Sequence, residues 1–440
     1  MAHQSVTTAQ VSDSGALTRR GLMRGVVAAL APAFLTAREA NCLMAFQQVT
    51  PAGTAGIGSY DAGLLPRGIR SRFVDNVNGL RMHVLEAGFE TTGRPAVLLL
   101  HGFPELAYSW REVMLPIASA GFHVVAPDRR GYGRSVGSPI NYDDNLASFS
   151  GLNQIRDALG LVSALGYRSV AAVIGHDQGS PLAGWCSVAR PDVFRSVVMM
   201  SAPFTGTPTL PFNTANVAPA GVRATSDAIY DDLAKLTPPR KHYQRYYQTR
   251  EANENLWHPA QGLHAFLRAY YHMKSADWLP NDPHRLASRT AAEWSKLPRY
   301  YVMDLNKGMS ETVAPEMPSA REIAACRWLP DSQLSVYAEE YGRTGFQGGL
   351  NGYRRGQVDA DLQVFAGRTI DVPAMFVSGK KDWGVYQDPG ALERLETAHT
   401  TAYRGTRLVD GAGHWVQQEQ PARVSELLIQ FLEANASARA

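Results

Sequence analysis

Residues 174–180 read Ile-Gly-His-Asp-Gln-Gly-Ser and set one carboxylate, Asp177, among small neighbours. The form is Gly-x-nucleophile-x-Gly, used where a strand turns sharply into a helix and presents one side chain at a sheet edge. Gly175 and Gly179 occupy the two points of such a turn where Cβ atoms would collide. A carboxylate at the apex forms an ester with what it attacks, which suits a saturated carbon better than an amide. An aspartate at a helix start has a plainer use as an N-cap. The elbow alone leaves both readings open.

Three other stretches supply partners for Asp177. His101-Gly102-Phe103-Pro104 follows an apolar run and has the form of a loop that gives a backbone N–H to an oxyanion hole; the expected donors are Phe103 and Gln178. His101 itself reads as a structural hydrogen-bonding residue. Ser378-Gly379-Lys380-Lys381-Asp382 and Gly411-Ala412-Gly413-His414-Trp415 each leave a strand-like run. The chain order is nucleophile, acid, histidine. In that arrangement Asp382 orients His414, and His414 is the general base.

The elements that must position these groups are legible from residue 71 onward. Phe73–Val77, Asn78-Gly79 and Leu80–Leu85 predict a hairpin with an Asn-Gly turn. Ala96–Leu100, Phe122–Ala126, Ser169–Ile174 and Ser196–Met200 are short apolar runs, as expected of strands buried on both faces. Helical periodicity over Leu152–Leu165 falls between two of them. Strands alternating with helices predict an α/β fold, with a mostly parallel central sheet, helices on both faces and an N-terminal hairpin. The rhythm stops near Phe204 and resumes at Pro373–Ser378, Thr406–Val409 and the amphipathic stretch Gln420–Leu432. The simplest architecture is one core, residues 71–204 and 366–440, interrupted by a mainly helical insertion over 205–365.

Bulk properties exclude several classes. Of the 440 residues 45% are hydrophobic and 19% charged, which fits a globular chain with a substantial core. A net charge of +3, with no dense basic run after residue 24, argues against nucleic acid or acidic lipid as a main partner. Cys42, Cys186 and Cys326 are too few and too scattered for a disulfide framework or a zinc site. Residues 1–40 carry Thr18-Arg19-Arg20-Gly21-Leu22-Met23 before an apolar run, Gly25–Leu35, too short to span a bilayer of about 30 Å. Twin arginines before such a run predict an export signal and a periplasmic protein. Residues 41–70, rich in Gly, Ala and Pro, read as a linker.

The strings His101-Gly-Phe-Pro-Glu-Leu-Ala-Tyr-Ser-Trp-Arg111, Pro127-Asp-Arg-Arg-Gly-Tyr-Gly-Arg-Ser135, the elbow, and Gly413-His-Trp-Val-Gln-Gln-Glu-Gln-Pro421 resemble the epoxide hydrolase branch of the α/β-hydrolase family, relatives of the haloalkane dehalogenases. The resemblance covers residues 71–440. It implies hydrolysis of a small-molecule epoxide through an ester on Asp177, with no metal or cofactor, and a cis bond at Phe103-Pro104. Pro104, Trp110 and Trp415, which lie in these strings, are expected at the substrate pocket. Some relatives carry the acid after the strand that follows the elbow; here that stretch is Ser201-Ala202-Pro203-Phe204, which leaves Asp382.

The resemblance also implies two tyrosines reaching down from a lid. Gly349-Leu350-Asn351-Gly352-Tyr353-Arg354-Arg355 points to Tyr353, and His242-Tyr243-Gln244-Arg245-Tyr246-Tyr247-Gln248 to Tyr243, with Tyr246 and Tyr247 as rivals. Relatives often have Trp where this chain has Gly352. A phenol stays protonated at neutral pH and can donate to a leaving alkoxide. A dehalogenase would share the triad but needs donors for a halide, often an indole N–H, and Trp257, Trp278, Trp294 and Trp328 keep that reading open. A serine esterase using Ser180 and a non-catalytic binding protein are weaker alternatives.

Overall fold

The Asn78-Gly79 turn closes a hairpin of β1 (Ile69–Val77) and β2 (Leu80–Ala87), with positive φ at both turn residues as a two-residue type I′ connection requires. The computed structural model describes residues 57–210, 226–357 and 359–436. Next come β3 (Ala96–Leu100), β4 (His123–Pro127), β5 (Ala172–His176) and β6 (Val197–Met200), each buried throughout. The insertion contributes a short pair, β7 (Arg240–His242) and β8 (Val302–Asp304). The sheet is completed by β9 (Ala374–Gly379) and β10 (Tyr403–Val409).

Eight strands form one sheet in the order β1-β2-β4-β3-β5-β6-β9-β10. Only β2 runs against its neighbours; from β4 to β10 all pairs are parallel. Strand period 2 then sorts the core into two layers. Leu98 and Leu100 pack with Ile155, Leu161 and Leu182, on the helices Gly151–Ala164 and Gly179–Ala189. Val97 and Leu99 face the other way, toward the helices Arg111–Ser119 and Pro421–Ala436 and part of the insertion. Parallel strands bring their C-terminal ends to one edge, and the loops carrying Phe103, Asp177, Asp382 and His414 all leave from it.

One expectation needs correction. The stretch 57–70 is no linker: Tyr60, Leu65 and Ile69 are buried, and β1 begins before residue 71. Tyr60 sits edge-on to His83, and its N–H donates to Ser71 Oγ; one aromatic anchor outweighs the local Gly and Pro. The insertion is mainly helical, as expected, with one short ribbon in which His242 of β7 pairs with Val302 of β8. The export signal and Cys42 lie outside the described residues. No helix among the described residues is long and apolar enough to cross a membrane.

Candidate active site

Asp177 sits at φ 50° directly after β5, a left-handed conformation that costs energy for any residue but glycine. The turn is held by its N–H, which donates to the Met200 carbonyl at 3.1 Å. It closes only because its glycines are bare: a Cβ on Gly175 would strike the Gly179 backbone, and one on Gly179 the Leu100 carbonyl. Gln178 occupies the N-cap of the following helix, so Asp177 is not a cap. Its Oδ1 instead accepts the Phe103 N–H at 2.9 Å, and its Oδ2 lies 3.4 Å from His414 Nε2.

His414 and Asp382 come to the carboxylate from β10 and β9. The His414 Nδ1 lies 3.1 Å from Asp382 Oδ1, which fixes the Nε2 edge toward Asp177. That Nε2 has no hydrogen-bond partner of its own. Asp382 also accepts Gly384 N–H at 2.7 Å and Ser378 Oγ–H at 2.9 Å. Burial works against its ionisation, but the adjacent imidazole, then the Gly384 N–H and Ser201, hold its pKa below the ordinary value. For Asp177 burial is again the largest effect and is outweighed by His414, then by Lys274 and His176, so its pKa is held far below the carboxylate range. Both carboxyls are anions at neutral pH, as a nucleophile and an orienting acid must be.

The Phe103-Pro104 bond is cis, as expected. Its loop reaches Asp177 because Gly102 has no side chain; a Cβ there would overlap the Asp177 side chain. His101 is structural: its Nε2 accepts the Arg129 N–H at 3.0 Å and its Nδ1 meets the Gly102 carbonyl at 2.9 Å. Burial, then Arg129, lowers its pKa to about 4, so the ring is neutral.

Sequence reasoning missed Glu105. Its Oε2 lies 2.5 Å from His176 Nδ1 and accepts the Gly102 N–H at 3.0 Å, while its Oε1 accepts from Gln417 at 2.8 Å. The His176 Nε2 in turn donates to the His414 carbonyl at 2.7 Å. One fully buried pair therefore ties the oxyanion loop, the elbow and the histidine loop together. The only available signal was a carboxylate inside an otherwise apolar run after His-Gly-Phe-Pro.

Tyr243, just past β7, and Tyr353, on the helix Gln347–Arg354, line the same cavity of about 270 Å³ as Asp177. Their rings meet edge to face, 6.0 Å apart. Burial first, with the Asp177 charge contributing, raises both phenols well above their ordinary pKa. The rivals turn elsewhere: Tyr246 packs under Lys241, and the buried Tyr247 hydroxyl faces Tyr270.

The pocket expectations for Pro104, Trp110 and Trp415 fail. Trp110 is fully buried in the core, Trp415 stacks on Tyr271, and the Pro104 carbonyl accepts the Tyr271 hydroxyl. Pro104 and Trp415 thereby tie the insertion to the core through Tyr271. The cavity is instead walled by Arg129, Gln178, Gln244, Gln248 and Arg355 among others. Among the described residues no group of His, Cys, Asp and Glu has metal-binding geometry.

Comparison with known proteins identifies the fold and the family. Residues 95–250 match the family model described as alpha/beta hydrolase fold. Epoxide hydrolase B of Mycobacterium tuberculosis is 31% identical over 376 residues, covering 81% of this chain and 96% of the relative. The epoxide hydrolase of Caballeronia sordidicola is 30% identical over 395 residues, covering 88% and 98%. Among solved structures, an epoxide hydrolase from an endophytic Streptomyces superposes with a TM-score of 0.67 at 28% identity, over 84% of this chain and 97% of that one. Potato (Solanum tuberosum) epoxide hydrolase I gives 0.62 at 27% identity, over 83% and 99%. With its carboxylate elbow, histidine–aspartate pair and tyrosine-lined cavity, the chain belongs to the epoxide hydrolases of the α/β-hydrolase fold.

Proposed function

We propose that the chain converts an epoxide to a vicinal diol through an ester on Asp177. Oδ1 is engaged by the Phe103 N–H, which leaves Oδ2 to attack a ring carbon. As that bond forms, the ring C–O bond breaks and its electron pair moves to the oxygen. Tyr243 and Tyr353 donate hydrogen bonds there and supply the proton. His414 Nε2 then takes a proton from water, whose oxygen attacks the Asp177 ester carbonyl. The tetrahedral oxyanion is met by the Phe103 and Gln178 N–H groups. Collapse expels the diol oxygen, which takes the proton from His414, and the proton left on the new Asp177 carboxyl returns to the tyrosinate, restoring both carboxylate and phenol.

The observation that carries this reading is the pair of phenols lining one cavity with the Asp177 carboxylate. The dehalogenase alternative lacks a matching donor, since no tryptophan among the described residues lines the cavity with Asp177. Trp257 donates to the Gly342 carbonyl, Trp278 to Glu316 and Trp328 to Asp277, while Trp294 packs on His242. Ser180 is no substitute nucleophile, since it hydrogen-bonds the Ala202 carbonyl from within the helix. Single turnover of an epoxide in heavy-oxygen water is expected to leave label in Asp177. Label found in the diol alone would refute the covalent route.

The segment 205–365 is read here as the lid, on the strength of the two tyrosines it brings to the cavity. Export rests on Arg19-Arg20 and the apolar run after them. Fusion of residues 1–70 to a folded reporter is expected to give periplasmic signal that Arg19→Lys with Arg20→Lys abolishes; cytoplasmic retention of the unaltered fusion would exclude it.

A further inference from the structure

A pocket for a neutral ligand needs only a small number of polar groups; this one has two guanidinium groups and several glutamines beside the carboxylates of Asp177 and Asp359. Arg129 and Arg130 are adjacent, both are buried, and their fates differ. Arg130 is paired with Asp157 through two hydrogen bonds, of 2.8 and 2.6 Å. Arg129 has only neutral acceptors, the His101 carbonyl at 2.9 Å and Gln154 Oε1 at 2.6 Å, and its Nε has no partner. Among the described residues no carboxylate pairs with it. A buried charge without a counterion is costly, so such a group is normally paired or held for a ligand.

Other groups in the cavity point the same way. Arg355 has a counter-charge but only a loose one: its Nε stands 3.6 Å from Asp359 Oδ2, while Asp359 Oδ1 accepts the Gly151 N–H at 2.6 Å. The Gln178 Oε1 accepts the Tyr132 hydroxyl at 3.0 Å, which leaves its Nε2 as a donor without a partner. Gly352 leaves room for that amide, because a Cβ there would lie 2.9 Å from Gln178 Oε1. Asp177 and Asp157 act on Arg129 only through space, without a hydrogen bond to it, and His414, Lys274 and His176 are the stronger positive influences on Asp177.

We propose that the cavity takes small epoxides bearing a carboxylate within a few bonds of the ring, with Arg129, Arg355 and the Gln178 amide on the anionic end. A volume of about 270 Å³ is enough for such a molecule. The inference rests on the epoxide reading and adds the charge of the substrate to it. Placed this way, the carboxylate lies on the guanidinium side of the cavity and the ring over Asp177 Oδ2.

The test compares kcat/KM for an α,β-epoxy carboxylate and its neutral methyl amide at low ionic strength. The acid is expected to be favoured roughly tenfold or more, the effect of a charged hydrogen bond. That ratio is expected to collapse in Arg129→Met and Arg355→Met and to persist largely in Arg129→Lys. Arg355 lies nearer the surface, so its variant covers the case in which Arg129→Met fails to fold. Equal rates for the two substrates, or a ratio untouched by both variants, would overturn the charge assignment and leave the epoxide reading standing. Folded wild-type enzyme that opens neither substrate nor any neutral epoxide would fail at the epoxide reading itself.

Discussion

Replacing Glu105 with Gln removes one charge and reverses one hydrogen-bond direction at the junction of three loops. The carboxylate accepts from His176, Gly102 and Gln417 and donates nothing. An amide offers one oxygen and one NH₂, so whichever way it turns, its nitrogen faces a donor. Breaking a buried pair of this kind costs about 3–5 kcal/mol. With an unfolding entropy of roughly 2 cal/mol/K per residue over ~380 folded residues, about 4 kcal/mol lowers Tm by about 5 °C. Activity should fall through kcat, because the pair holds both Gly102, next to the Phe103 donor, and the His414 carbonyl; misplacement by 1 Å costs on the order of 100-fold. KM should hold, since Glu105 does not line the cavity.

The pH dependence of that difference has a definite sign. Burial opposes the charge on Glu105, but His176 and the Gly102 N–H outweigh it and its pKa is lowered. Its contribution is therefore present above about pH 4.3 and lost as pH falls through the lower folded value. Burial likewise opposes the charge on His176, Glu105 outweighs it, and its pKa is raised. That contribution is full below about pH 6.5 and lost as pH rises through the folded value. The stability gap between wild type and Glu105→Gln should thus be widest between these limits. A Tm within 1 °C of wild type, with kcat within about twofold, would refute the argument that this pair sets the loops.

Other outcomes follow from the same geometry. His414→Gln should let the ester accumulate, so intact-protein mass after mixing with an epoxide rises by the mass of the substrate. Asp382→Asn should keep the fold but slow turnover on the order of 10⁴-fold by favouring the wrong tautomer, read by single-turnover decay of the ester. Tyr243→Phe and Tyr353→Phe should each slow ester formation by roughly 10–100-fold, with the double variant far slower; halide substrates would be unaffected if they are turned over at all. Gly102→Ala should abolish activity, because its Cβ would displace the Asp177 side chain, and circular dichroism would separate that from unfolding.

The residues whose identity encodes a local shape were readable from the chain. Asn78-Gly79 specified a hairpin, the bare glycines around Asp177 specified an elbow, and short apolar runs specified strands buried on both faces. Chain order then linked Asp177, Asp382 and His414, and the structure places all three within one site. Side chains whose role depends on what lies across the fold were not readable. Trp110 and Trp415 look like pocket residues by sequence proximity, but burial makes them core. Tyr243 differs from Tyr246 and Tyr247 only in the direction it faces after β7.

Glu105 and Arg129 make the same point from the side of charge. A sequence shows that a charge exists; only the fold shows whether it is buried and what opposes it. His176 meets Glu105 across the junction of three loops, whereas Arg129 meets no carboxylate among the described residues. Local backbone preferences act over a few residues and survive in the sequence. Burial and ion pairing are set by segments far apart in the chain, and for this protein they decided the support of the triad and the character of its cavity.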